Sequence, residues 1–72
     1  MTNERVEIVL ADNILAGIIY EKQGYSLKHF ELYQITKDKY DLQKADEYTK
    51  QVEVLLSARK ILLQTLEEII KG

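Results

Sequence analysis

The sequence predicts an all-α protein, an antiparallel helical hairpin with a short middle helix that self-associates into a four-helix-type bundle. Three observations predict it. Residues 41 to 71 contain neither Gly nor Pro, and Tyr48, Val52, Leu55, Leu62, Leu66 and Ile69 recur there at four- and three-residue steps, which keeps them on one stripe of a helix. Val54, Leu56, Ala58, Ile61, Leu63 and Ile70 widen that stripe to roughly 200° of the circumference, more than one packing neighbour covers. Nearer the start, Val6, Ile8, Val9, Leu10, Ile14, Leu15, Ile18 and Ile19 point in nearly every direction, and a helix apolar all round is a buried one. Finally, a chain of 72 residues buries only about 60% of the surface its unfolded form exposes. With no Cys and one His, neither disulfides nor a metal site compensates. Association is the remaining route to stability, and Val52, Leu55, Leu62, Leu66 and Ile69 are expected to form the interface between copies.

The first helix is predicted over residues 4 to about 23, with Thr2 or Asn3 as its cap and Glu4 in the first turn, where the helix dipole favours an acid. Gly24 is expected to stop it. The alternation of Val6, Ile8 and Leu10 with charged neighbours also allows a strand over residues 5–10. Residues 25–36 read as a short helix capped by Ser26 and carrying Leu27, Phe30 and Ile35, with a strand as the alternative. Helix is favoured because no partner with a hairpin turn lies nearby. Residues 36–41 form a polar joint in which Asp38 or Asp41 caps the long terminal helix, although nothing in the joint forbids an unbroken helix. Residues 1–72 make a single domain. A first helix of about 20 residues spans about 30 Å and a last one of about 30 residues about 45 Å, so the last is expected to overhang its partner. A second copy would cover the overhang and complete the bundle.

The formal net charge of −2 exerts no overall pull toward nucleic acid or anionic membrane. The opening residues lack the order of a signal peptide, and the apolar run from residue 8 to 20 is shorter than the roughly 20 residues that span a bilayer. A soluble, cytoplasmic protein is expected, in keeping with the absence of Cys. The bias toward Lys, Glu, Ile and Tyr suggests an AT-rich bacterial or phage genome.

Two charges stand out. Asp12 interrupts the apolar first helix, and a carboxylate buried there requires a partner. Arg59 falls inside the apolar arc of the last helix, so an Asp12–Arg59 ion pair is expected, the alternative being that Asp12 reaches solvent at the bundle edge. His29 has no company of ligand-type residues at regular spacing, so no metal is expected. Ser26, Ser57 and the threonines show no nucleophile arrangement, and Gly17, Gly24 and Gly72 stand alone rather than in a phosphate loop. Neither an enzyme nor a cofactor is expected. Tyr33, Tyr40 and Tyr48 are spaced by seven and eight and share a face if the helix runs through the joint. With Tyr25 and Phe30 they form the candidate surface for a partner protein; otherwise they cap the exposed ends of the core.

The stretch Ala16-Gly-Ile-Ile-Tyr-Glu-Lys-Gln-Gly24-Tyr-Ser-Leu-Lys-His-Phe30-Glu-Leu-Tyr-Gln-Ile35 resembles the helix-turn-helix of regulators in the arabinose-operon activator family. The resemblance covers about twenty residues and implies that Ser26, Lys28, His29 and Glu31 face a DNA major groove. Tyr20 departs from the small residue usual in that family, and the reading helix carries little positive charge. The function expected first is that of a homo-oligomeric interaction module, an adaptor, inhibitor or assembly factor that binds itself and another protein. The alternative is a small DNA-binding regulator dimerised through its last helix.

Overall fold

The computed structural model describes residues 2–72, with side chains from Glu4 onward. Two helices account for nearly all of them, α1 (Thr2–Thr36) and α2 (Lys39–Lys71). They lie antiparallel in a hairpin with principal extents of 53 × 14 × 12 Å. The capping roles expected of Thr2 and Asn3 fall outside the described side chains.

The connection is two residues long and its chemistry is local. Lys37 takes a left-handed conformation, φ 58°, which ends α1 as helices commonly end. Asp38 then starts α2 in an extended conformation, φ −78° and ψ 122°, with its Oδ1 accepting from the Tyr40 N–H at 3.0 Å. This satisfies one of the amides that a helix start leaves without a partner. Thr36 Oγ1 accepts from the Asp38 N–H at 3.1 Å and donates to the Leu32 carbonyl at 3.0 Å. Of the two candidate caps it is Asp38 that serves, and the joint breaks the helix rather than continuing it.

Gly24 does not stop the first helix. α1 runs through it without interruption, so the separate middle helix is absent, as are the strands allowed for residues 5–10 and 25–36. A glycine that stops a helix in mid-chain takes a positive φ as a rule, and Gly24 does not have one. A helical glycine costs only about 0.5–1 kcal/mol relative to alanine, and contacts from α2 on the residues just after it outweigh that. Ser26 Oγ sits 3.1 Å from the Ala45 carbonyl and 2.9 Å from Thr49 Oγ1, and the Tyr25 and Tyr48 rings lie 5.4 Å apart.

Because α1 has 35 residues and α2 has 33, the two match in length and the expected overhang does not exist. The seam between them repeats at alternating steps of four and three on both helices. On α1 it runs through Ile8, Asp12, Leu15, Ile19, Lys22, Ser26, His29 and Tyr33. On α2 it runs through Asp41, Ala45, Tyr48, Val52, Leu55, Arg59, Leu62, Leu66 and Ile69. All of these are buried or half-buried, the pattern of a two-stranded antiparallel coiled coil. Only Ile19, Ala45 and Val52 are buried among the described residues, and each keeps a few per cent of its surface exposed. The apolar girth of α1 is therefore not buried within one hairpin: Val6, Val9, Leu10 and Ile14 are exposed, since a single neighbour covers a single stripe.

Candidate interaction surface

Arg59 donates from Nε to Asp12 Oδ1 at 2.7 Å and from an outer guanidinium nitrogen to Oδ2 at 3.4 Å. Both residues occupy seam positions, and the Asp12 side chain is only 14% exposed, so it does not reach out to solvent at the edge. The hydrogen bond from Arg59 and the attraction of the carboxylate raise the guanidinium pKa, against a smaller opposing effect of desolvation. A forked pair in an otherwise aliphatic stretch has one good register. Sliding either helix by a turn leaves a carboxylate and a guanidinium facing aliphatic side chains, Leu55 or Leu62 for Asp12 and Ile8 or Leu15 for Arg59.

The seam changes character toward the loop. His29 Nδ1 lies 3.0 Å from Asp41 Oδ1, and its ring stacks on Tyr48 at 5.8 Å and 17° while meeting Tyr40 edge-on at 6.4 Å. Lys22 Nζ is 5.3 Å from the centre of the Tyr48 ring, and Lys44 Nζ is 5.7 Å from that of Tyr40, both within cation–π range. The Tyr25 hydroxyl donates to Glu21 at 2.9 Å. That bond, and then the negative charge of the same carboxylate, raises the phenol pKa above its ordinary value. Polar and aromatic side chains thus close the loop half of the hairpin, and aliphatic ones around the Asp12–Arg59 pair close the open half.

Of the aromatic residues expected to form one surface, Tyr40 and Tyr48 pack against His29, and Tyr25 packs against Tyr48. Tyr33 sits apart with Lys37 Nζ 5.7 Å from its ring. Phe30 is turned about 140° from Tyr25 on the helix wheel and lines a groove of about 490 Å³ with Leu27 and Leu42. Tyr33 does not share a helix face with Tyr40 and Tyr48, because the break at Lys37 and Asp38 puts it on the other helix. The helix-turn-helix geometry is likewise absent. There is no turn at Gly24; Ser26 and His29 face α2, and only Lys28 and Glu31 of the four residues proposed to read DNA are exposed.

Val52, Leu55, Leu62, Leu66 and Ile69, expected between copies, all lie on the seam toward α1 of the same chain. The aliphatic side chains left facing out are their neighbours. On one flank of the open half, Ile14 of α1 is 64% exposed, and Val54 and Ile61 of α2 are 69% and 63% exposed; Leu10, 54% exposed, points away from α2 on the back of α1. Ile18 and Val54 line a shared groove of about 420 Å³ whose loopward end carries Lys22 and Lys50. The opposite flank exposes Leu56 and Leu63. The wide arc of α2 already pointed to Val54 and Ile61. Their α1 counterparts were hidden by reading α1 as buried on every side.

Among the described residues no group of three or more His, Asp or Glu is placed to hold a metal ion, and no described helix is long and apolar enough to cross a membrane. Compared with known protein families, curated proteins and solved structures, the chain matches none.

Proposed function

We propose that this protein is a non-enzymatic interaction module that works as a homo-oligomeric helical bundle and offers its outer surface to another protein. One observation carries the reading: a hairpin with a complete seam of its own still exposes long aliphatic side chains on both flanks, Ile14, Val54 and Ile61 on one and Leu56 and Leu63 on the other. Contiguous apolar surface of this kind marks a binding site or an aggregation hazard. Each such side chain gains about 1.5–3 kcal/mol on moving from full exposure to full burial. Self-association covers one flank and leaves the second, together with the Tyr40 end of the aromatic cluster, for a different chain.

Light scattering on the size-fractionated protein over a dilution series tests this. A compact dimer or tetramer that persists on dilution is expected. A well-behaved monomer at every concentration would remove the homo-oligomeric bundle. The partner surface is tested on the assembled protein by replacing Tyr40, 58% exposed, by Ala. Weaker partner capture by a protein that still folds is the expected result, and unchanged capture would remove that surface from the reading.

A further inference from the structure

Building on the reading of the chain as a self-associating module, we propose that a second copy docks on the flank that carries Leu27, Phe30, Leu42 and Leu63. Its loop lies at the opposite end, about a twofold axis perpendicular to the helices, so that α1 packs on the partner's α1 and α2 on the partner's α2.

Charge selects the face. On α1, steps of three and four lead from Val6 to Gln34 past Asn13, Ala16, Tyr20, Gln23, Leu27 and Phe30 without meeting a charged residue, a second stripe beside the seam. On the same flank of α2, Leu42, Thr49, Leu56, Leu63 and Ile70 recur every seventh residue, and the charges of Asp46, Glu53 and Lys60 stand only along its outer edge. The other flank sets Glu7, Glu21 and Lys28 of α1 and Glu47 of α2 among its isoleucines. One side of the hairpin measures 53 × 14 Å, an outline of roughly 700 Å², close to the ~800 Å² that each partner contributes to an interface of standard size. An occupant has to match the strip in length and be uncharged along it, and the same flank of a second copy is both. A twofold axis lays that flank on itself.

The outer edge of α2 then selects the orientation. Within one chain Asp12 stands opposite Arg59 and Ser26 opposite Ala45, so full overlap puts a perpendicular axis beside Ile18 on α1 and Glu53 on α2. Asp46, which holds Lys50 of its own helix at 3.1 Å, comes to the height of the partner's Lys60, opposite in sign, once on each side of the axis. Glu53 alone meets its own copy, at a rim open to water where a like pair costs little. On α1, Ala16 faces the partner's larger Tyr20 and Asn13 faces the partner's Gln23, amide to amide. The groove lined by Leu27, Phe30 and Leu42 receives the partner's Val9 and Leu63. An axis parallel to the helices would instead lay Asp46, Glu53 and Lys60 along the partner's uncharged α1 stripe, where no opposite charge meets them. The perpendicular operation on the other flank would set Glu21 against the partner's Ile14 and Glu47 against the partner's Ile61, and the parallel one would set Lys28 against the partner's Lys44. All four helices of the proposed dimer have antiparallel neighbours, the arrangement of an ordinary four-helix bundle.

The test places a spin label at Lys37→Cys, in the loop and on neither flank, in a chain that has no cysteine of its own. Pulsed electron–electron distance measurement on the full protein is expected to give an intermolecular separation approaching the 53 Å length of the hairpin. A separation on the order of 20 Å, two interhelical spacings of about 8–10 Å, would overturn the orientation while leaving self-association intact. No intermolecular distance, with a monomeric mass, would overturn both. Leu27→Glu and, separately, Leu63→Glu are expected to raise the dimer dissociation constant at least about a hundredfold, the effect of burying an unpaired carboxylate. Both positions are exposed in the single hairpin, so the helical circular dichroism should survive. Ile61→Glu on the other flank should leave dissociation unchanged, and dissociation that responds to Ile61 but not to Leu27 or Leu63 would overturn the choice of face. Asp46→Lys and Lys60→Asp should each weaken the dimer several-fold, and the two together should restore it. Residues 46 and 60 lie about 21 Å apart along one helix, so such coupling arises only between copies, and additive effects would overturn the pairing.

Discussion

Replacing Gly24 with Ala distinguishes an unbroken α1 from a helix that stops where glycine stands. Gly24 lies within α1 without a positive φ, and a Cβ built on it meets no heavy atom within 4 Å. Alanine at such a place is neither strained nor crowded, and it removes backbone freedom that glycine retains in the unfolded chain. The expected gain is about 0.5–1 kcal/mol. Gly17 is equally open and its replacement should contribute a similar amount. The two sites have no shared contacts, so the double variant should gain about 1–2 kcal/mol. For a domain of this size each kcal/mol moves the melting temperature by roughly 4–8 °C, which puts the double variant well outside measurement error. Thermal unfolding followed by far-ultraviolet circular dichroism at fixed protomer concentration reads it, since association would otherwise shift the midpoint. A fall in Tm for Gly24→Ala that persists in dilute, monomeric protein would refute the continuous helix. A fall seen only in associated protein would instead place a second copy close against that glycine.

Three further outcomes are expected. Asp12→Leu and Arg59→Leu should each lower Tm by several degrees, because each leaves the other charge in the seam without a partner. The double change should recover much of the loss, and additive effects in the cycle would mean the two do not interact. Lys37→Gly should raise stability by about 0.5–1 kcal/mol in urea unfolding, since a residue with a Cβ is strained at φ 58° and glycine is not. An unchanged or lower midpoint would mean that the left-handed turn is not what joins the helices. The Tyr25 phenol should titrate above the usual 10.0, as read from its ring-carbon chemical shift, and return toward it in Glu21→Gln. A folded-state pKa above the unfolded one means that this contact contributes its full stability below about pH 10 and loses it as pH rises through the folded value. A Tyr25 titration insensitive to Glu21 would refute the assignment.

Which parts of the fold could be read in advance follows from the range over which each is decided. The α2 stripe was visible because its period repeats over about six turns, from Tyr48 to Ile69, without a glycine or proline. A cap at Asp38 or Asp41 was visible, and Asp38 serves because its carboxylate accepts from the N–H two residues on, a contact inside a single turn. The meeting of Asp12 and Arg59 could be anticipated because each is the one charge in an aliphatic stripe, and charges so placed have few places to go. The α1 seam was missed at Lys22, Ser26 and His29, where polar side chains interrupt an apolar count. They sit inside only because Tyr48, Thr49 and Asp41 of α2 offer ring faces and oxygen atoms to receive them.

By itself the sequence determined that the chain is helical, that a polar joint with a capping aspartate lies within residues 36–41, and that its second helix carries more apolar surface than one neighbour can cover. Those follow from periodicity, capping and composition, all local. The tertiary structure decided that α1 runs unbroken through Gly24 and equals α2 in length. It also decided which aliphatic residues close the hairpin and which stay on its flanks. The physical reason is one of magnitude: a glycine's preference within a helix is worth about 1 kcal/mol or less, and the alignment of two helices over some 50 Å of shared seam outweighs it.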